Sequence, residues 1–192
     1  TLYMGLTAVP FNFDDLYAFV PVVDMLKGNL NAEILAKGSL NELEVRKLNL
    51  GYNRTSLLTS GRLYYLTDPD RMMFDAAIIN SKLFEGDAAL LLPKFEIPVI
   101  EYLNPVYIDT LTYNGSPLNF KTFSSLRLKN GAVRANFDMD IEGKEPEYSF
   151  RAEGRSINLK GLTDYPVQLS FNLKGDGTSF TPELMTANIS GN

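Results

Sequence analysis

The sequence predicts a mostly β chain built as an elongated, stacked antiparallel sheet. Three observations carry that prediction: an internal repeat, a two-residue hydrophobic alternation, and turn residues placed between the alternating runs. Residues 13–50 align with residues 95–128. Each stretch opens on an acidic and apolar segment containing a proline, passes through a strand-like run into Gly-Ser (Gly38-Ser39 and Gly115-Ser116), and ends in Leu-x-Leu (Leu48 and Leu50, then Leu126 and Leu128). A third, shorter copy puts Gly175 at the position of Gly38 and Gly115. Repetition on this scale favours a stacked architecture over a closed globule. The expected repeats run over roughly 13–92, 95–155 and, truncated, 157–192, within a single repeat-built domain (1–192) that is expected to be a piece of a longer protein.

Taken in order, residues 13–19 carry Asp14 and Asp15 where a first helical turn favours acids, with Asn12 as a candidate cap, and Pro21 keeps the helix short. Leu30, Ala32, Ile34 and Ala36 then alternate with polar neighbours. Residues 96–103 hold Pro98 in a first-turn position, so one short helix is expected at the start of each repeat. The strongest alternation comes late. Val133, Ala135, Phe137, Met139 and Ile141 alternate with Arg134, Asn136, Asp138, Asp140 and Glu142. Tyr148 and Phe150, then Val167, Leu169, Phe171 and Leu173, follow the same rule. On a strand these sets fall on opposite faces, one apolar and one wet. Turns are expected at Gly51-Tyr52-Asn53, Asp68-Pro69-Asp70, Lys129-Asn130-Gly131, Gly143 to Pro146, and Gly175-Asp176-Gly177.

Composition removes several functions. A net charge of −5 argues against nucleic acid, which selects basic surfaces. The chain has no cysteine and no histidine, so thiolate chemistry, disulfides, His-based triads and two-His zinc motifs are all excluded. No apolar run approaches the roughly 20 residues that span a bilayer. Asp138, Asp140 and Glu142 share a strand face and have the oxygen chemistry of a hard-cation site, but beside Arg134 a solvated face explains them better. Asn53, Asn114 and Asn188 head short glycosylation sequons, which matter only in a eukaryotic secretory setting. The pairs Tyr64-Tyr65 and Met72-Met73 are expected to pack in a core. No catalytic motif, cofactor motif or metal motif is present.

A sheet with one apolar face must cover it. A few short helices do not suffice for about ten strands, so the sheet closes, folds over, or offers that face to a ligand. The string LNAEILAKGSLNELEVRKLNLGYNRTSLLTSGRL (residues 30–63) resembles the repeating segment of the TamB and AsmA-like proteins of Gram-negative bacteria. The shared pattern is a strand ending in Gly (Gly38), then Leu43, Val45, Leu48 and Leu50, then a strand ending in Gly-x-Leu (Gly61, Leu63). The preceding FDDLYAFVP fits too, and the string DPDRMMFDAAI suggests a Bacteroidetes-like version.

The resemblance implies an antiparallel sheet curled into an open, apolar-lined groove, the β-taco. It also implies a periplasmic module, anchored in the inner membrane by a segment absent here, that helps lipids or outer-membrane proteins reach the outer membrane. Its expected partners are phospholipid acyl chains, the inner membrane and the outer-membrane assembly barrel, with no cofactor. On that reading the groove candidates are Val133, Ala135, Phe137, Met139, Ile141, Tyr148, Phe150, Val167, Leu169, Phe171 and Leu173. The competing readings are a closed barrel or sandwich holding an apolar ligand or a glycan, and a carboxylate-dependent hydrolase using Asp138 or Asp140.

Overall fold

Strand-forming alternation is realised almost everywhere it can be followed. The computed structural model describes residues 2–12, 29–91, 104–143, 145–158, 167–179 and 186–191. They form eleven strands and one helix: β1 (Leu2–Asn12), β2 (Asn29–Gly38), β3 (Glu42–Tyr52), β4 (Thr55–Tyr64), β5 (Met73–Leu83), α1 (Glu85–Leu91), β6 (Val106–Gly115), β7 (Asn119–Leu128), β8 (Gly131–Asp140), β9 (Glu147–Asn158), β10 (Gln168–Thr178) and β11 (Thr186–Gly191). All eleven strands belong to one antiparallel sheet in sequence order. Substantial packing runs only from each strand to its sequence neighbours. The sheet therefore neither closes into a barrel nor folds over into a sandwich.

Register explains how such a sheet holds its character from edge to edge. Leu6, Ile34, Leu48, Thr59, Ile78, Leu111, Ser124, Ala135, Ala152, Leu173 and Gly191 form one unbroken cross-strand row. No charged residue interrupts it. Three residues along, on the opposite face, another row runs Lys37, Glu44, Arg62, Asp75, Asn114, Lys121, Asp138, Ser149, Asp176 and Asn188. Opposite charges there meet directly, as in Lys37–Glu44 at 3.0 Å and Lys121–Asp138 at 3.3 Å. Such exposed pairs contribute little stability each, but like charges in the same places would oppose the pairing.

Bulges let the register survive local irregularity. The pairing shifts between Ala8 and Phe11 in β1, around Asn80 in β5, at Asp109 in β6 and at Ser156 in β9. Asn80 and Ser156 adopt positive φ, 45° and 50°. The Ser81 hydroxyl repairs one gap, accepting from Leu58 N at 2.8 Å and donating to Ile79 O at 2.8 Å. These four fall toward one end of the strands, called the lower end here, and a fifth, at Arg46 and Lys47, lies in the middle of β3. The connections 13–28, 84–105 and 159–167 leave from that end, together with the tight hairpins at 53–54 and 129–130. The upper end carries short turns.

Two upper turns are built alike. Gly38 and Gly115 have φ of 132° and 135°. In each, the serine that follows closes the loop with its N–H, Ser39 N to Glu42 O and Ser116 N to Asn119 O, both at 2.8 Å. The serine hydroxyls accept from the backbone N–H two and three residues on. Gly175 differs. It lies inside β10, paired with Phe150 and Ile189, so the turn expected at Gly175-Asp176-Gly177 is continuous strand. The residues read locally as a turn, but ladder partners on both sides hold them in the strand.

The helices expected at 13–19 and 96–103 lie outside the described residues. The helix that is described, α1, occupies Glu85–Leu91, ahead of the second of these. Glu85 and Asp87 in its first turn complement the helix dipole.

Adding a Cβ at Gly115 would put it 2.1 Å from Asn119 O, in a φ region that L-residues rarely adopt. Gly115→Ala is expected to lower stability by about 2–3 kcal/mol. At Gly86, in α1, an added Cβ meets nothing within 4 Å, so Gly86→Ala should be neutral or gain up to about 1 kcal/mol. Urea midpoints of the two variants check the contrast.

Candidate functional site

Three complete apolar rows lie side by side on one face of the sheet. Beside the Leu6 row runs a second: Ala36, Val45, Gly61, Ala76, Tyr113, Thr122, Phe137, Phe150, Gly175 and Ile189. A third, at the upper rim, runs Gly38, Leu43, Leu63, Phe74, Gly115, Phe120, Met139, Tyr148, Gly177 and Ala187. None of the three holds a charge.

Aromatic rings join across strands within this face. Tyr113 and Phe120 stack with centroids 4.9 Å apart, Phe74 meets Tyr113 edge-on at 6.0 Å, and Phe120 meets Phe137 at 6.2 Å. Several rings have a glycine as cross-strand partner, and one such glycine receives its ring directly. The Phe171 ring lies where a Cβ on its partner Gly154 would fall, 2.3 Å from Cε1.

Of the residues singled out in the sequence, Val133, Ala135, Phe137 and Met139 from β8, Tyr148 and Phe150 from β9, and Phe171 and Leu173 from β10 are half-buried on this face. Leu169 occupies the same face opposite Ile157 but is 41% exposed. Val167 precedes β10 and is 45% exposed. Ile141 follows β8 and donates its N–H to Leu118 O at 2.7 Å. The flanking Arg134, Arg151 and Lys174 are exposed. Met73 is 46% exposed, and Tyr64 pairs with it on the polar face rather than in a core.

Sequence reasoning missed the first-repeat contribution to this face: Leu43, Leu48, Leu63, Phe74 and Ile78. Their alternation is broken by bulges, and only the register restores it. Burial is graded along the strands. Leu30, Phe84, Val106, Ile108 and Ile157, all toward the lower end, are 6–9% exposed, while the upper rim is half-open; the small Ala36, near the top of β2, is the exception at 6%. Among the described residues no side chain is fully buried.

The polar face has concavities of its own. One of about 670 Å³ is lined by Asn136, Ser149, Arg151, Lys174 and Asp176. A neighbouring one of about 600 Å³ is lined by Lys121, Asp140, Glu147 and Thr178. The carboxylates that sequence spacing set together are engaged in separate contacts. Asp138 faces Lys121; Asp140 accepts from Asn119 Nδ2 at 3.1 Å and Glu142 N at 3.0 Å; Glu142 accepts from the Ser116 hydroxyl at 2.9 Å. Among the described residues, no three acidic side chains converge as cation ligands do. Lys37, through its hydrogen bond, holds the Glu44 carboxyl below its usual range.

Burial raises the Tyr113 phenol above its ordinary value, and its hydroxyl donates to Ser116 O at 2.7 Å. Ionising that ring is harder in the folded chain than in the unfolded one. Stability is therefore unaffected at neutral pH and falls as pH climbs above about 10. Tyr113→Phe should lose about 1 kcal/mol or less at pH 7 and flatten the alkaline decline, as read by unfolding midpoints across pH 7–11. On the same face, Phe137→Asp should cost about 2–3 kcal/mol. Asp138→Ala, which breaks a pair whose side chains are 46% and 74% exposed, should stay within about 0.5 kcal/mol. Equal effects would mean that the polar face carries the stability.

Comparison with known protein families, with characterised proteins and with solved structures finds no match.

Proposed function

We propose that this chain is a groove-forming module that holds and passes the acyl chains of phospholipids, working in the periplasm between inner and outer membrane. One observation carries the reading. Three uncharged, largely apolar rows cross all eleven strands, and no second layer of described structure covers them. A continuous apolar face of that extent, left open, marks an interaction surface. Its chemistry selects hydrocarbon: burial contributes about 0.8 kcal/mol per CH₂ and requires no directional partner.

The rows also run in a useful direction. Successive strands lie about 4.8 Å apart, so eleven strands span on the order of 48 Å along the stack. That exceeds the roughly 15 Å of a bilayer leaflet's hydrocarbon. A chain lying along the rows would cross many strands and meet near-equivalent surroundings at each step, which suits passage rather than capture. The resemblance of residues 30–63 to the TamB and AsmA-like repeat supplies the periplasmic setting and the inner-membrane anchor. Among the described strands, β1 and β11 each keep one free edge. An extended segment adds to such an edge through main-chain hydrogen bonds, which supports a companion role in assisting outer-membrane strands.

The lipid reading predicts weak binding without head-group preference, because the apolar rows offer no Arg or Lys to hold a phosphate. Photo-reactive residues at Phe137 and Phe171 should label phospholipid, while those at Asn136 and Asn172, one residue away on the polar face, should not. Equal labelling from both faces, or tight one-to-one binding of a single lipid species, would overturn it.

A further inference from the structure

The first turn of α1 is fastened to the neighbouring hairpin by a buried carboxylate that the alternation of the sheet does not require. Asp87 is 6% exposed. One carboxylate oxygen accepts from Arg54 N and from the Thr55 hydroxyl, both at 3.0 Å, and the other accepts from Asn53 Nδ2 at 3.4 Å. Thr55 Oγ1 accepts in turn from Phe84 N at 3.0 Å, which ties the residue before the helix to the same hairpin. The Arg54 guanidinium lies 4.0 Å over the Phe84 ring, and the Lys82 ammonium lies 4.7 Å from it. Glu85 N donates to Asn104 Oδ1 at 3.0 Å, joining the helix to the entrance of β6.

Without such contacts a helix as short as α1 has little stability of its own. Seven residues fall well short of the length at which a helix stands alone in water. Leu90 is 60% exposed. The attachment also sits where burial is greatest, at the lower end of the strands and between the first four-strand unit (β2–β5) and the second (β6–β9). Val106, Ile108 and Phe84 there are 6–9% exposed, whereas the same face is half-open at the upper rim.

We infer that α1 is a detachable strap, with Asp87 as its positioning residue, that shuts the lower lip of the sheet where the two units meet. Its consequence for lipid rests on the groove reading. With the strap docked, hydrocarbon reaches the apolar rows over the upper lip. With it released, the lower lip opens as well. The strap is local, since the sheet's own ladder continues through β4, β5 and β6 whether or not α1 is docked.

Amide hydrogen exchange on the intact chain tests the strap without any lipid. Asp87→Ala should speed exchange at residues 84–91 on the order of tenfold or more, because it removes three hydrogen bonds to a charged acceptor, while β7 to β10 stay as protected as before. Unchanged exchange at 84–91, or an equal rise throughout the sheet, would overturn the inference. Should Asp87→Ala fail to fold, Thr55→Val decides. It keeps the carboxylate and removes only the bridging hydroxyl, so exchange should rise several-fold at 84–91 alone, and no local rise would again overturn it.

The lipid consequence is read separately, by photo-crosslinking to phosphatidylethanolamine vesicles from Leu57, near the strap, and Met139, at the upper rim. Wild type should label from Met139 well above Leu57, and Asp87→Ala should bring the two level. A Leu57 signal unmoved by Asp87→Ala would overturn the strap's role at the lip. Absence of label at both positions in every variant would sink the groove reading while leaving the exchange result to judge the strap.

Discussion

Everything in this fold depends on register. Side chains alternate with period two, so a slip of one residue in any strand exchanges its apolar set for its polar set. Here that choice is made ten times in succession, and each time it preserves the same face. Tight turns set part of it. The Gly38-Ser39 and Gly115-Ser116 loops fix how β2 meets β3 and how β6 meets β7, because a backbone at φ near 130° closed by a serine N–H admits one geometry. The polar face sets another part. In the row from Lys37 through Glu44, Arg62 and Asp75, a displaced strand would put like charges or hydrocarbon opposite a charge. These pairs act as specificity devices, and being exposed they are screened by salt.

Glycine placement is the second constraint, and it concerns shape more than flexibility. On the apolar face, rings and glycines occupy partner positions: Phe171 with Gly154, Phe150 with Gly175, Phe120 with Gly115. At Gly154 the Phe171 ring lies over the bare backbone and fills the space a second side chain would take, which keeps a single-layer sheet thin. Such a surface stays smooth and apolar without needing a specific partner residue at each point.

How much of this could be read from the sequence follows from where alternation is unbroken. β8, β9 and most of β10 were legible because Val133 to Met139, Tyr148 to Ala152 and Leu169 to Leu173 alternate without interruption. β3, β5 and β6 were less so: a bulge at Arg46–Lys47, Asn80 or Asp109 shifts the phase by one residue, and no local signal distinguishes that from a change of face. The glycines near 175 show the opposite failure. Gly-Asp-Gly has turn chemistry, yet the strands on both sides of it supply ladder partners, and tertiary pairing overrides local preference. Helix α1 was hidden for a related reason. Its sequence has ordinary helix formers over a short span, and what holds it is Asp87, whose donors Asn53, Arg54 and Thr55 lie more than thirty residues earlier.

The two ends of the strands are not equivalent, and this bears on how an open sheet could work on hydrocarbon. A purely symmetric apolar face would be wetted or occupied equally from either lip. Here most of the bulges, the longer connections, the Asp87 attachment and most of the least exposed apolar residues fall at the lower end, while the upper end has short turns and a half-open rim. An apolar chain lying along the rows would have one flank against the better-packed lower end and the other toward solvent. Its hold would then grow with the length of chain laid down, with no single site dominating, because each strand crossed adds a similar increment of buried area. That is the energetic profile of a surface that retains hydrocarbon in aggregate and can still release it a few carbons at a time.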